Sequence, residues 1–441
     1  MCGKQHQSDK NRLVFSGKEA FEVWIRHYLS ACRTRGTVVF LDSQMEGHAA
    51  SRFSYIAADP AASVTVSSGD GAWDKLRAFR EEHADWMFGW LSYDLKNETE
   101  KLTSENMDSV GMPDLHFFVP GTLLIVDRKT CEIRVLKGEL FPDAAMPEKR
   151  AMPAMPEKRV APAAIRLTNL QSRDGWERYR HNVLKIKEYI ARGDTYEVNL
   201  THQLSAGFEG DSLDLFEGMR NAGPVPFAVW LSHEGVDVCC ASPERFLERT
   251  GSRVRSQPIK GTSPRGSDPE DDKKIISEIL KKEKNRAENV MIVDLVRHDL
   301  GRVAQTGSVR TDALLEVQTF STVHQLVSTV SAEIAPGISP VEVIRACFPM
   351  GSMTGAPKIR TMEIIEELET YRRGLYSGAI GYVTPNDDFD LNVVIRTAII
   401  KQNRLFYSVG GAITADSDPR DEWEESWLKA RALGHPHPEV S

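Results

Sequence analysis

Apolar residues recur along this chain with two different periods. Residues 176–192 carry apolar side chains three or four positions apart and are followed by Gly193, which is typical of a helix that ends at a glycine. Short apolar runs at 196–200, 227–231 and 236–240 instead have the length and composition of strands. This part of the chain is therefore predicted to mix helices with strands.

The first 140 residues show a similar mixture in shorter pieces. The predicted elements are strands at 37–41, 123–127 and 132–136 and a helix at 71–83. The segment at 41–43, followed by 51–56, has two interpretations: the wall of a small-molecule pocket, or simply a strand and its turn. No residue in this part of the chain indicates catalysis.

A buried carboxylate is predicted in a later helix. In the helix expected over residues 271–300, which ends at Gly301, Glu288 shares the face of the apolar stripe formed by Met291 and Ile292. Burying a carboxylate without a partner is costly, so Glu288 requires a nearby arginine or a metal ion. The pattern leaves both possibilities open.

The last predicted helix carries two more carboxylates. Asp418 is a plausible cap for its first turn, and Glu422 and Glu425 share one face at i,i+3 spacing. Together with Glu288 they would make an oxygen-only site of the kind that Mg²⁺ prefers. Taken alone, Glu425 would be an ordinary surface partner of Lys429.

Three further features expose groups that bind anions. The glycine-containing loop at 351–358 runs into a helix, and the free N–H groups of a helix N-terminus can hold an anion. Arg396 lies in the middle of an apolar run at 392–400 that is predicted to be a strand, where a guanidinium requires a carboxylate partner. Gly410 and Gly411 follow the next predicted strand and leave backbone groups bare.

Lys260 stands between Pro258 and Gly261, which by itself indicates an ordinary turn residue. Glu244 follows the strand-like run at 236–240 and is joined to Lys260 by a short predicted hairpin. The ends of two neighbouring strands can bring this carboxylate and amine into one cleft, although an exposed surface glutamate is the alternative. A lysine, three carboxylates, an arginine and an anion loop together fit a small substrate with two negative charges.

Composition narrows the classes of function. The 441 residues are 41% hydrophobic and 27% charged, with a net charge of −8 at pH 7, which is ordinary for a soluble enzyme and argues against nucleic-acid or acidic-membrane partners. The N-terminus has no signal-peptide pattern and no run approaches the roughly 18 apolar residues of a membrane span, so we expect a cytoplasmic protein. The six cysteines have no metal-finger spacing and are expected to be buried free thiols.

The chain length allows about two to three domains or one large interleaved core. Residues 145–159 contain the hexapeptide Ala-Met-Pro-Glu-Lys-Arg twice, separated by Ala-Met-Pro, which is typical of a linker. The predicted organisation is an N-terminal domain at 1–144, a linker at 145–171, a catalytic domain at 172–433 and a tail at 434–441.

Five ordered motifs resemble those of a known family. They are Ser-Pro-Glu-Arg-Phe at 242–246, Pro-Ile-Lys-Gly-Thr at 258–262, Asp-Leu-Val-Arg-His-Asp-Leu-Gly-Arg at 294–302, the loop at 351–358 and Gly-Gly-Ala at 410–412. With these motifs the chain resembles the chorismate-utilising enzymes of the anthranilate synthase type. The resemblance implies an α+β fold, in which a large antiparallel two-layer β core is flanked by helices, and chorismate as the substrate.

The resemblance also implies roles for individual residues. The implied catalytic residues are Lys260, Glu244 and His324. The implied ligands of Mg²⁺, the expected cofactor, are Glu288, Glu422 and Glu425. The implied substrate-binding residues are Gly261, Thr262, Ser352, Tyr376, Arg396, Gly410, Gly411 and Ala412.

Two positions distinguish the branches of this family. Anthranilate synthases carry alanine at the position of Lys260, and isochorismate or salicylate synthases carry a lysine where this chain has Glu197. The chain therefore resembles most closely the branch that makes 4-amino-4-deoxychorismate for 4-aminobenzoate and folate, with anthranilate synthase component I as the alternative. In that branch the lysine attacks C2 of chorismate while Glu244 protonates the departing C4 hydroxyl. This attack requires a neutral amine, so we expect a lowered pKa for Lys260.

The chain departs from the family pattern at four positions. Glu197 stands where a glutamine is usual, Asn285 where an acid is frequent, His298 in place of an asparagine and Ala412 in place of a glycine. No segment resembles a glutamine amidotransferase, so ammonia is expected from a separate amidotransferase subunit or from solution. A non-catalytic chorismate-binding subunit would require a broken Mg²⁺ site, whereas all three carboxylates are present.

Overall fold

The computed structural model describes residues 11–43, 53–67, 69–140, 165–223, 225–320 and 323–433. The predicted tail at 434–441 lies outside these ranges, as do residues 145–164 of the linker predicted at 145–171. The helices of the described residues are α1 (Lys18–Arg33), α2 (Ala72–Glu82), α3 (Lys96–Thr99), α4 (Gly175–Arg192), α5 (Ser212–Ala222), α6 (Pro269–Lys281), α7 (Glu283–Gly301), α8 (Pro340–Cys347), α9 (Lys358–Leu368) and α10 (Pro419–Lys429).

The strands join in one extended sheet, and the pairings between them are antiparallel. The strands of the first half are β1 (Arg12–Val14), β2 (Val38–Asp42), β3 (Ser54–Val66), β4 (Met87–Leu91), β5 (Leu115–Asp127), β6 (Glu132–Lys137), β7 (Arg166–Ser172), β8 (Glu197–Glu209), β9 (Phe227–His233) and β10 (Val236–Ser242). Those of the second half are β11 (Arg245–Thr250), β12 (Arg253–Gln257), β13 (Ile259–Pro264), β14 (Arg310–Thr319), β15 (Val323–Glu333), β16 (Gly355–Ala356), β17 (Ala379–Val383), β18 (Phe389–Asn392), β19 (Thr397–Lys401) and β20 (Arg404–Ile413).

The sheet folds into two layers with an apolar core between them. Because successive side chains of a strand point to opposite faces, Val39 of β2 and Trp90 of β4 face this inner core, whereas Val38 and Phe40 face outward. Helices α1, α4, α5, α9 and α10 cover the outer face of one layer, and α2, α7 and α8 cover that of the other. The predicted α+β fold with a two-layer antiparallel core is confirmed.

The two parts of the chain share this sheet. Strand β2 pairs with β9, where Val39 lies opposite Leu231, and β4 pairs with β17, where Gly89 lies opposite Gly381. The predicted boundary at residue 144 therefore does not separate two sheets, and the chain has the interleaved core that its length also allowed.

The end of the predicted linker is a strand. Strand β7 pairs with β8, and Leu167 is buried in the core on one side of it. The linker prediction was therefore wrong for residues 166–171, because a single buried leucine among polar residues gives a weak periodic signal before a tertiary partner is known.

Two other predicted elements are divided. The helix expected over 271–300 is two helices, α6 and α7, because Lys282 between them is extended, with φ −62° and ψ 113°. The apolar run at 392–400 is likewise split between β18 and β19, and Arg396, with φ 51°, lies in the turn between the strands rather than in mid-strand. Neither break contains a proline or glycine, so no local signal marks it.

The predicted end of one helix and the predicted cap of another are confirmed. Helix α4 ends at Gly193 in the left-handed conformation, with φ 81°, and the Asp418 side chain accepts hydrogen bonds from the first turn of α10. No helix among the described residues is long and apolar enough to cross a membrane. Cys32, Cys239, Cys240 and Cys347 are buried and unbridged, Cys131 is half-buried, and Cys2 lies outside the described residues.

The strand interpretation of the segment at 41–43 is confirmed. Leu41 and Asp42 belong to β2, and with Ser43 they also line a small cavity of about 220 Å³. The Asp42 carboxylate is buried between Arg128 and Arg220, each 2.6 Å away, so its charge is already neutralised by the protein.

Candidate active site

A cleft of about 1210 Å³ lies between the ends of the two layers. Its walls come from β13, β15 and β20, from the turn between β10 and β11, and from α7 and α10. Every residue proposed from sequence for substrate or metal binding lines this cleft, as do Lys260 and Glu244, but His324 does not. Residues as far apart in the chain as 244 and 425 therefore meet in one cleft.

Lys260 lies on β13 and is only 9% exposed. Its Nζ donates a hydrogen bond to Oε1 of Glu197 at 2.9 Å, and the glutamate is itself 1% exposed. Burial alone would lower the pKa of Lys260. The negative charges of Glu197, Glu288 and Glu244 outweigh this effect, and the pKa is raised. The expectation of a lowered pKa was wrong, because three carboxylates surround the amine instead of a second cation.

Gly261, the neighbour of Lys260, has a conformation that favours glycine. Its φ is +90°, and an added Cβ would lie 3.1 Å from Nδ2 of Asn285 and 3.3 Å from Cδ1 of Leu326. The pairing of β13 with β15 shifts register between Ile259 and Thr262. This bulge lets the consecutive residues Lys260, Gly261 and Thr262 all line the cleft, where a regular strand would turn every second residue away.

Glu244 is held between β10 and β11, with 4% of its surface exposed. Its backbone N–H donates to Oγ of Ser242 at 3.2 Å, and its carbonyl accepts from Val393, which fixes the turn. Burial raises the pKa of Glu244 to about 7, although the Ser352 hydroxyl and the charge of Lys260 act in the opposite direction. A carboxyl group with this pKa can hold a proton near neutral pH and release it to a ligand.

Arg396 reaches the cleft from the turn between β18 and β19. Among the described residues its guanidinium makes no ion pair or hydrogen bond, and burial lowers its pKa although Tyr407 and Glu244 oppose this. A half-buried guanidinium without an internal carboxylate fits an anionic ligand. Tyr376, 6% exposed, lines the same wall.

Gly410, Gly411 and Ala412 form the edge of the cleft inside β20, and not after a strand as predicted. They pair with β8 on one side, whereas the pairing with β19 on the other side ends at Tyr407. The carbonyl of Gly410 accepts a hydrogen bond from Lys429 on that open side. Because N–H and C=O of one residue point the same way, the N–H groups of Gly410 and Ala412 also face the open edge.

The three predicted metal ligands face the same part of the cleft, but lysines stand among them. Glu288 and Glu422 are 6% and 4% exposed, whereas Glu425 is exposed at the mouth. Lys284 forms an ion pair with Glu422 and lies 3.8 Å from Glu288, and Lys429 lies 3.0 Å from Glu425. In the part of the chain that the structure describes, no three acidic, histidine or cysteine side chains are gathered closely enough to hold a metal ion.

The electrostatics of the carboxylates nevertheless suit a cation. Burial raises the pKa of Glu288 to about 7, and Glu197 and Glu422 add to this, although Lys260 and Lys284 oppose it. Oε1 of Glu288 is buried and accepts no hydrogen bond. Oxygen-only donors with an unsatisfied buried carboxylate are the chemistry that Mg²⁺ binds.

His324, which was also predicted to be catalytic, does not line the cleft. Its Nδ1 is paired with Thr319 Oγ1 at 2.9 Å and its Nε2 with Asp272 Oδ1 at 2.8 Å, so both ring nitrogens are used within the protein. Strand alternation explains the error, because the neighbours Val323 and Gln325 face the cleft and His324 points to the other face of β15. Of the motif that carried the prediction, residues 321–322 lie outside the described residues.

The predicted anion loop contributes only in part. Ser352 and Met353 line the cleft, but Lys358 donates to Oδ2 of Asp299 at 2.8 Å and does not line it. Gly351 packs against α7, where an added Cβ would lie 2.7 Å from Cδ2 of Leu295. The loop therefore fixes the wall at Ser352 and does not present a helix N-terminus to the ligand.

Sequence reasoning missed three residues at the site. Gln325 is 1% exposed, lines the cleft, and leaves both amide atoms without a hydrogen bond, and Oδ1 of Asn199 on β8 is likewise unsatisfied. Alternation along β15 was a signal for Gln325, since it lies two positions after Val323. Lys284, one turn before Glu288 on α7, resembled any surface lysine and gave no signal.

Comparisons with known proteins agree with this geometry. Residues 36–435 match the family described as chorismate binding enzyme. Over 395 residues the chain is 41% identical to aminodeoxychorismate synthase from Streptomyces griseus, which covers 84% of this chain and 54% of that protein. The chain thus spans about half the length of that relative.

A second relative matches along nearly its whole length. Aminodeoxychorismate synthase component 1 from Klebsiella aerogenes is 33% identical over 435 residues, covering 93% of this chain and 95% of that protein. Among solved structures, anthranilate synthase component I from Streptococcus pneumoniae superposes with a TM-score of 0.76 at 28% identity, covering 89% of this chain and 94% of that one.

Proposed function

Because this chain belongs to the chorismate binding enzyme family, we propose that it converts chorismate and ammonia to 4-amino-4-deoxychorismate, on the route to 4-aminobenzoate and folate. The observation that carries the proposal is the pairing of a buried lysine, Lys260, with a buried carboxyl group of raised pKa, Glu244, in one cleft. A nucleophile and an acid at neighbouring positions suit the exchange of a ring hydroxyl for an amine.

Chorismate carries two carboxylates, and the cleft offers a separate place for each. Arg396, Tyr376 and the open edge at Gly410 and Ala412 would bind the enolpyruvyl carboxylate. Glu288, Glu422 and Glu425 would hold Mg²⁺, and the bound ion would neutralise the ring carboxylate. Ser352, Gly261, Thr262 and Gly411 complete the walls around the ring.

The chemistry of the proposal runs between Lys260 and Glu244. The Lys260 amine first gives a proton to an acceptor, and Glu197, in contact at 2.9 Å, is the adjacent group that can take it. The neutral amine then forms a bond to C2 of the ring, the two ring double bonds shift, and the C4–O bond breaks. Glu244 donates its proton to the departing hydroxyl, which leaves as water. Ammonia enters at C4 and gives one proton to the Glu244 carboxylate, the double bonds shift back, and Lys260 is expelled as the amine, which recovers its proton from Glu197.

Ammonia is proposed to come from glutamine through a separate amidotransferase subunit. The Klebsiella relative is named component 1, which supports a partner component for that protein. At high ammonium concentration the chain is expected to work without this partner, because the cleft is open to solvent.

Product identity tests the proposal. The protein is incubated with chorismate, Mg²⁺ and ammonium, and a separate aminodeoxychorismate lyase is then added. The expected product is 4-aminobenzoate, formed only after the lyase is added and detected by its fluorescence after chromatography. Anthranilate formed before the lyase is added would overturn the proposal.

Mass spectrometry tests the role of Lys260 directly. Protein exposed to chorismate and Mg²⁺ without ammonia is digested and searched for a mass increase on the peptide containing Lys260. We expect the adduct in the wild-type protein and in Lys273→Ala, a surface control whose side chain is 72% exposed, but not in Lys260→Ala. An unmodified Lys260 in protein that still turns over would remove the covalent step.

Anthranilate synthase component I is the second candidate function. The observation in its favour is the likeness to the solved Streptococcus pneumoniae structure of that name. This alternative predicts that Lys260→Ala leaves anthranilate formation unchanged or raises it, whereas the leading proposal predicts loss of turnover.

A further inference from the structure

Lys284 occupies the space between two of the three carboxylates proposed for Mg²⁺. It lies one helical turn before Glu288 on α7, and its Nζ donates a hydrogen bond to Oε1 of Glu422 on α10. Its distance to Oε1 of Glu288 is 3.8 Å, within reach of an ion pair but too long for a hydrogen bond. One ammonium therefore links the two helices across the mouth of the cleft.

The ammonium group of Lys284 satisfies the carboxylates of Glu288 and Glu422 only in part. Oε1 of Glu288 accepts no hydrogen bond although the residue is 6% exposed, and Oε1 of Glu422 already accepts from Ser417 at 2.6 Å. Two buried carboxylates that share one single charge remain repulsive toward each other. An ion with two positive charges would satisfy them better than one lysine does.

Lys284 is also freer to move away from its partners than Lys260 and Lys429, which line the same cleft. Its side chain is 39% exposed, whereas Lys260 is buried against Glu197. Lys429 is held by both Glu425 and the carbonyl of Gly410. A lysine on a flexible four-carbon stem at the mouth can swing into solvent without breaking another contact.

We propose that Lys284 is an internal cation that shields Glu288 and Glu422 from solvent until a divalent cation displaces it. Metal binding and release of this lysine are then one coupled event. This inference rests on the proposed Mg²⁺ site. Because two competing cations cannot occupy the same carboxylates, each weakens the binding of the other by the same factor.

Calorimetric titration with MgCl₂ tests the competition without measuring turnover. Lys284→Met keeps the unbranched stem of the side chain and removes its charged end, so Mg²⁺ is expected to bind about tenfold more tightly than to the wild-type protein. Lys273→Met, a surface substitution on α6, should leave the affinity unchanged. Equal or weaker binding by Lys284→Met, or no binding by either protein, would overturn the inference.

A second measurement uses only the unaltered protein. The amine of Lys284 is acylated with a small reagent in the presence and absence of Mg²⁺, and the rate is normalised to that of Lys273. Displacement by the ion predicts faster acylation of Lys284 when Mg²⁺ is present, and an unchanged or slower rate contradicts it. If both metal experiments succeed while the product is anthranilate, the proposed function fails and the coupling stands. If 4-aminobenzoate is formed but neither experiment responds, only the coupling fails.

Discussion

Lys260 is a buried cation whose neighbours hold it in the protonated form. The ion pair with Glu197 at 2.9 Å is nearly water-free, since the two residues are 9% and 1% exposed. Such a pair keeps its charges only because each neutralises the other, and removing one partner leaves an uncompensated charge. The nucleophilic attack proposed for Lys260 therefore depends on moving one proton within this pair.

Replacement of Glu197 by glutamine should make Lys260 reactive at lower pH. Removing the carboxylate removes one cause of the raised pKa, so the neutral amine appears at lower pH and its acylation rate rises there. Peptide mapping after brief acylation at a series of pH values gives the midpoint. Glu188→Gln, on an exposed face of α4, is the matched control and should not move it. An unchanged or higher midpoint in Glu197→Gln would contradict this account.

Glu244 should impose an alkaline limit on activity. Its pKa is raised to about 7, so the proton that the proposed reaction gives to the leaving group is present below that pH and is lost as the pH rises above it. We expect chorismate consumption to fall above about pH 7, and Glu244→Gln to lower kcat by roughly 10²- to 10⁴-fold. Steady-state rates across pH make the test, with exposed Glu234→Gln as the control. If the residual activity of Glu244→Gln still falls above about pH 7, another group is responsible for the alkaline limit.

Strand β20 shows how one element sets both stability and the shape of the site. Two adjacent glycines in it have different surroundings, because successive residues face opposite sides of a strand. An added Cβ at Gly410 would lie 2.2 Å from the carbonyl oxygen of Leu200 on β8, whereas at Gly411 the nearest atoms are Nζ of Lys429 at 3.5 Å and Oε2 of Glu422 at 3.6 Å.

The two alanine substitutions should therefore act differently. Gly410→Ala forces β20 away from β8 and is expected to cost about 1–3 kcal/mol of unfolding free energy. Gly411→Ala should leave that free energy within about 0.5 kcal/mol of wild type, as is usual for a substitution without a clash, and should weaken chorismate binding because its methyl group projects among the carboxylates. Chemical denaturation and calorimetry separate the two effects. Similar losses of stability in both variants would contradict the alternation.

At the scale of the whole molecule, the two layers enclose a pair of buried histidines. His116 of β5 and His233 of β9 have ring centroids 4.5 Å apart, beside Trp90 in the inner core. Each Nδ1 is paired with a threonine hydroxyl at 2.8 Å, and each Nε2 has no hydrogen-bond partner. Burial lowers the pKa of both, that of His116 to about 3, so the fold favours the neutral form of each ring.

These histidines should make the fold acid-sensitive. Below about pH 6.5 the unfolded chain binds protons that the folded core refuses, so the unfolding free energy falls as pH falls, by up to about 1.4 kcal/mol per pH unit for each histidine. Chemical denaturation at pH 7 and pH 5 should show a smaller difference for His116→Gln than for wild type. Exposed His181→Gln should behave like wild type. An equal pH dependence in all three proteins would locate the acid sensitivity elsewhere.

Sequence alone determined the local structure and the chemical inventory of this protein. Gly193 ended α4 and Asp418 capped α10 because these signals act within one turn of a helix. Ordered motifs around Lys260 and Glu244 were sufficient to identify the family, and with it the two-layer α+β fold. These features depend on residues a few positions apart, or on short motifs that can be read in order along the chain.

Tertiary structure decided what depends on distant neighbours. The raised pKa of Lys260 comes from Glu197, a residue 63 positions away, and the place of Lys284 beside Glu422 joins residues 138 positions apart. The face of β15 that carries Gln325 rather than His324 into the cleft, and the turn that presents Arg396, depend on strand pairing across the sheet. Burial and charge are sums over three-dimensional neighbours, and for these residues the neighbours are not adjacent in the chain.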